Sequence, residues 1–173
     1  MPPVLLNGVG LVRAKQFKYL GHVVTEDLKM IARARRALAV RCNMLARRFA
    51  RSSIEVKITL FKAFCQTLYT CNLWVNYTQR AFNALRVQYN NAFRVLLGLP
   101  RDCSTSAMFA YAHTEGFGAV IRNRIASLMR SVRGSHNTIL RVISEKTDGP
   151  IVGHWVRTHA QVPGVPGGGR YLN

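Results

Sequence analysis

The sequence predicts a mainly α fold: a small N-terminal β hairpin, a helical bundle and a disordered C-terminal tail. Three observations predict it. Apolar residues recur at the helical period from Leu28 to Val132. Short extended runs near the start flank the turn pair Asn7-Gly8. The stretch from Val162 to Gly169 is mostly Pro and Gly and cannot build a core. The chain then divides into a hairpin over 1–24, a helical region over 25–148 and a flexible Pro/Gly-rich tail over 149–173.

Val4, Leu5 and Leu6 lead into Asn7-Gly8, a dipeptide suited to a two-residue hairpin turn. Phe17, Tyr19 and His22-Val23-Val24 follow, with Gly21 interrupting the second run. The expectation is a small hairpin or two short strands. Thr25-Glu26-Asp27 offers a hydroxyl cap, and acids where the helix dipole is positive. From Leu28 to Arg51 the stripe Leu28, Ile31, Leu38, Cys42, Leu45 and Phe49 marks a helix. Lys29, Arg33, Arg36, Arg47 and Arg51 project from its opposite face.

Ser52-Ser53-Ile54-Glu55 reads as a capping box opening an apolar helix that runs to about Trp74. Thr78 caps the next, whose stripe is Phe82, Leu85, Tyr89, Phe93 and Leu96, and Gly98 and Pro100 end it. Ser104-Thr105-Ser106 starts a short helix to about Ala112. Phe117, Ile121, Ile125, Leu128 and Val132 mark a further one, stopped by Gly134. His136 to Lys146 holds one more turn or two.

Charge bounds the partner. The chain has 25 Lys and Arg against 7 Asp and Glu, a formal net charge of +18. Such an excess repels itself until a polyanion neutralises it, and nucleic acid is the commonest. Most of these cations are Arg, whose planar fork fits phosphate oxygens. No acid occurs between Asp27 and Glu55, so the face of the first helix lacks the mixed signs of an ordinary solvated one. Ile58–Tyr77 is largely apolar, but Lys62, Gln66, Asn72 and Asn76 interrupt it, which suits a buried helix better than a membrane span. No secretory signal precedes it, so an intracellular location, nuclear or cytoplasmic, is expected.

Catalytic patterns are missing. The only adjacent acids, Glu26-Asp27, sit at a helix start, and no convergent carboxylate set for two-metal phosphoryl transfer is present. Neither a P-loop, nor Gly-x-Ser-x-Gly, nor His-Glu-x-x-His occurs. Cys42, Cys65, Cys71 and Cys103 lack metal-ligand spacing and read as buried reduced thiols, and the five His are scattered. No cofactor or metal is expected. Lys15, Phe17, Lys18 and Tyr19 interleave aromatic and basic side chains, a pattern that stacks bases and holds phosphates, or simply lines an ordinary strand.

The run Phe17-Lys18-Tyr19-Leu20-Gly21 resembles the Phe-x-Tyr-Leu-Gly signature near the end of the reverse transcriptase domain of non-LTR (LINE-type, jockey-like) retrotransposons. ARRALAVRCNMLARRFAR (34–51), FKAFCQTLYTCNLWVNYTQRAFNALRVQYNNAFRVLLGLPR (61–101) and MFAYAHTEGFGAVIRNRIASLMRSVR (108–133) resemble the segment that follows it. The resemblance covers roughly residues 4–155. It implies the palm edge and a thumb-like bundle that grips a template–primer duplex, with Tyr19, Leu20 and Gly21 in the primer-gripping hairpin. The family's Tyr-x-Asp-Asp and its earlier catalytic Asp do not occur here, nor do fingers, most of the palm, or an endonuclease. The stretch after Tyr-Leu-Gly is also shorter and poorer in acids than the family's pattern, which puts the entry angle of the first helix in doubt.

The implied function is a polymerase fragment that binds RNA, DNA or an RNA–DNA hybrid without sequence preference and catalyses nothing. A glycine at position 21 lets backbone approach a ligand closely, and the Arg face over 29–51 suits a phosphate backbone. Arg122 and Arg130, on a later helix, are further candidates for that contact. Two other readings stand beside it: a thumb-supplying subunit that needs a separate fingers–palm chain, and a basic helical protein of structural or membrane-surface type.

Overall fold

The bundle forms because five amphipathic stretches bury their apolar stripes against one another, and the N-terminal strands precede it as paired hairpins. A computed structural model describes residues 5–6, 9–10, 16–19, 22–25, 29–75, 77–145 and 149–160. Strand β1 (Leu5–Leu6) pairs antiparallel with β2 (Val9–Gly10); the expected turn pair Asn7-Gly8 lies outside the described residues. A second hairpin joins β3 (Gln16–Tyr19) to β4 (His22–Thr25), with Tyr19 opposite His22. Leu20 and Gly21, the latter expected to interrupt the second run, lie outside the described residues. The fold is mainly α, and both hairpins are short.

Helix α1 (Lys29–Arg48) buries Ile31, Leu38, Cys42 and Leu45, and half-buried Phe49 follows its end. The chain turns at 49–52, so the helix stops short of Arg51. Helix α2 (Ile54–Leu60) begins one residue later than a Ser52–Glu55 capping box requires. Ser53 is the cap and accepts a hydrogen bond from the Val56 amide at 3.5 Å. Glu55 then lies in the first turn, its carboxyl held below the usual range first by the Ser53 hydroxyl.

The apolar helix does not reach Trp74. After α2 it widens into a π turn over Phe61–Cys65, and the chain then leaves the helix. A 3₁₀ turn, Cys71–Leu73, follows Thr70, whose φ of 63° lies in the left-handed region. The cause is tertiary. The Arg41 guanidinium donates to the carbonyl oxygen of Phe64 (2.7 Å) and to Thr67 Oγ1 (3.0 Å), and Thr67 Oγ1 donates to the Phe64 oxygen (3.0 Å). Carbonyls that would have continued the helix find other partners. Phe61, Cys65, Leu68, Cys71 and Trp74 are all buried across this break.

Helix α3 (Gln79–Leu97) starts where Thr78 Oγ1 accepts from the Ala81 amide at 3.2 Å. It ends in a Schellman turn: Gly98 has φ 69°, and the Leu99 amide donates to the Arg94 oxygen at 2.9 Å. Leu85, Tyr89, Phe93 and Leu96 are buried. Helices α1 and α3 run side by side in one direction: Ile31 shares a groove with Ala81, and further along Cys42 Sγ meets the Ala92 carbonyl at 3.1 Å. Helices α4 (Thr105–Tyr111) and α5 (Phe117–Arg133) close the core from the far side of α3. Phe61 meets Tyr89 and Phe93 edge to face at 5.2 and 4.8 Å, and Phe109 lies 4.7 Å from Phe93.

Helix α6 (Thr138–Glu145) buries no residue, and Asn137 Oδ1 caps it by accepting from the Ile139 amide at 2.9 Å. Ordered structure continues past 148, where a flexible tail was expected to begin. Helix α7 (Pro150–Ala160) opens on a proline, which suits a first helical position, and buries Val152 and Trp155. Trp155 Nε1 donates to the Asn72 carbonyl at 2.5 Å, tying α7 to the 3₁₀ turn. Residues 161–173, the rest of the expected tail, lie outside the described residues. Trp155→Ala should therefore destabilise the chain by about 3–5 kcal/mol. Urea unfolding checks this, and a change within about 0.5 kcal/mol, typical of a surface site, would show that α7 does not dock.

Candidate nucleic-acid interface

An interface for a polyanion has to be built from cations that the fold leaves outside. The guanidiniums of this chain divide into two groups. Arg41 and Arg94 turn inward. Arg41 caps the π turn, and Arg94 donates to the Cys103 carbonyl (2.9 Å) and Thr105 Oγ1 (3.1 Å), pinning the start of α4. Lys57 and Lys62 likewise donate to carbonyls, of Ala50 and His113.

The second group is exposed. Arg33, Arg36 and Arg47 lie on the side of α1 away from Leu38, Cys42 and Leu45, as the period predicts. At 1.5 Å per residue the row from Arg33 to Arg47 is about 21 Å long. Exposed Val40 and Met44 share that side, so the row has an apolar middle. Lys29 starts the helix, and Arg51 is exposed but stands beyond it. Lys18 is exposed on β3, and β4, the strand paired with it, contacts α1. Tyr19 closes β3. Lys15, Leu20 and Gly21 lie outside the described residues.

Arg122 and Arg130 do not join the row. Both are on α5, which packs on α3, α6, α7 and the 3₁₀ turn, whereas α1 packs on α3, the π turn and β4. Arg122 is half-buried and Arg130 exposed. Sequence reasoning missed a different pair, Arg35 and Arg80. They flank a cavity of about 260 Å³ between α1 and α3, floored by Ile31, Ala81 and Ala84. The equal steps along the two helices were the available signal, but reading it required knowing that α1 and α3 are neighbours.

Cys42, Cys65 and Cys71 are buried as expected, whereas Cys103, expected buried with them, is half-exposed. Burial pushes Cys42 up to about 11, Cys65 up to about 12 and Cys71 up to about 11, from an ordinary 9.0. Among the described residues no three His, Cys, Asp or Glu side chains are grouped to hold a metal ion. Nor is any described helix long and apolar enough to cross a membrane. Comparison with protein-family models, with curated proteins and with solved structures finds no match.

Half-exposed Cys103 should be the thiol that iodoacetamide labels in the native chain at pH 8, with all four labelled in urea, as read by peptide mass analysis. Native labelling of Cys65 at the rate of Cys103 would show the core opening at the π turn. The same shifts set a pH dependence. Above about pH 9 the unfolded thiols release protons that the folded ones keep, so stability should fall as pH rises further.

Proposed function

We propose that this chain is a thumb-like piece of a non-LTR retrotransposon reverse transcriptase, which binds template–primer duplex along its phosphates, without sequence preference and without catalysis. One observation carries the reading: α1 holds Arg33, Arg36 and Arg47 exposed on one side while its other side is locked into the core. A rigid helix fixes the spacing at which its guanidiniums emerge, and a row about 21 Å long can follow several successive phosphates of a duplex. Contacts of this kind read the backbone and not the bases. The resemblance assigns Tyr19, Leu20 and Gly21 to a primer-gripping hairpin. The metal-holding carboxylates of the family's polymerase are not among the seven acids of these residues, so the reading assigns them grip and not catalysis.

Arg33→Gln, Arg36→Gln and Arg47→Gln together should weaken binding to RNA–DNA hybrid alike for every sequence. The log–log salt slope should flatten by roughly two to three units, about 0.9 for each phosphate no longer neutralised. Circular dichroism should be unchanged, since these side chains hold nothing in the core. A folded triple variant with an unaltered salt slope would reduce the face to a solvated surface. The pure chain, given template, primer, nucleotides and Mg²⁺, should extend nothing; robust metal-dependent extension would overturn the non-catalytic half of the reading.

A further inference from the structure

The outward edge of α1 carries more than charge. Arg33, Arg36, Val40, Met44 and Arg47 are all exposed, Val40 by 67% and Met44 by 40%. Steps of three and four residues wind them onto one ridge, about 80° wide at 3.6 residues per turn. The ridge stands opposite Ile31, Leu38, Cys42 and Leu45, which lock the helix into the core. Cations close both ends of it, and an apolar pair one helical turn apart fills the middle. No acid lies between Asp27 and Glu55 to offset the cations.

Single exposed aliphatic side chains are ordinary on a protein surface. This pair is set apart by its frame of like charges, and the frame restricts the occupant. A phosphate backbone accounts for the three guanidiniums and leaves Val40 and Met44 without a use. A bilayer surface takes helices whose cations and apolar side chains lie on opposite faces, whereas here both share one face. A second copy of the chain would bring its own cations against these. A helix with acids toward both ends and apolar side chains between them matches all five residues. Steps of three and four are those at which one helix seats on another. Carboxylates fit the Arg forks, and an unbranched Met adapts to whatever side chain meets it.

We propose that this ridge docks an acidic amphipathic helix of a partner protein, its apolar side chains over Val40 and Met44 and its carboxylates over Arg33, Arg36 and Arg47. Because the same guanidiniums form the duplex row, the docked helix excludes duplex. That exclusion rests on the duplex reading; the docking does not.

The test uses the whole chain and a synthetic helix of about 18 residues, long enough to cover the row. The probe carries two Leu one turn apart at its centre and Glu along the same stripe toward both ends. A control of equal composition has the Leu pair moved to the opposite stripe. Fluorescence anisotropy should show saturable binding of the probe, with the control about tenfold or more weaker. Val40→Gln with Met44→Gln should weaken the probe by a similar factor, with circular dichroism and the salt slope for RNA–DNA hybrid unchanged. Arg33→Gln, Arg36→Gln and Arg47→Gln together should weaken the probe as well, and hybrid should displace it from the native chain. Equal binding of probe and control, or a probe affinity that the Val40 and Met44 changes leave intact, overturns the docking site. So does a double variant that loses hybrid as severely as probe, which assigns the pair to the duplex face. Binding to phosphatidylserine vesicles that the double variant abolishes, with the probe unaffected, assigns it to a bilayer and overturns the site too. If the Arg variant loses the probe but keeps the hybrid salt slope, the duplex reading falls and the docking site stands.

Discussion

The fold turns on one buried hydroxyl. Tyr89 is fully buried at the centre of α3, and its phenol donates to the Glu115 carbonyl at 2.8 Å while accepting from Gln66 Nε2 at 3.0 Å. Gln66 closes the π turn, and Glu115 precedes the first residue of α5. A single side chain thus ties the residue that closes the π turn to the segment just before α5. Burial pushes the phenol well above its ordinary value, so it remains a neutral donor at any physiological pH. Leaving such a group unpaired costs about 1–3 kcal/mol, and that penalty selects the one arrangement in which both partners arrive. The aromatic cluster of Phe61, Phe109 and Phe117 packs around the same ring.

Local chemistry was legible wherever it is self-contained. Thr78 and Gly98 act through their own neighbours, and each stands where its residue type predicts. The stripes of α1, α3 and α5 were legible too, because one face of each meets a common core. Readings failed where a distant residue decides. The apolar run to Trp74 has no breaker strong enough to end it at Cys65; Arg41, twenty-three positions before Phe64, supplies the interruption. Helix α7 was hidden by Gly149-Pro150, a pair that marks a turn as readily as a helix start, and Val152 and Trp155 alone are too few to show a period.

The same limit applies to the candidate site. Exposure of Arg33, Arg36 and Arg47 follows from helical winding, so the sequence was enough to find them. Winding alone does not separate Arg41 and Arg94, which hold the fold together, from Arg35 and Arg80, which face solvent. That distinction rests on carbonyls brought near by tertiary packing. Trp74 reads as a plain core aromatic until its N–H is seen to lack an acceptor.

The energetics of α1 explain how a helix carries a face with no acids. Lys29, Arg33 and Arg36 stand at i,i+4 and i,i+3 spacing, where like charges cost about 0.2–0.5 kcal/mol per pair. Opposing this, Ile31, Leu38 and Leu45 each contribute about 1.5–3 kcal/mol when fully buried. Core packing therefore outweighs the repulsion several-fold, and the helix keeps its charges in place whether or not an anion is present. The repulsion is not removed; it persists as a field that any incoming phosphate relieves. Arg33 stands in the outer row and also lines the cleft between α1 and the segment after the π turn.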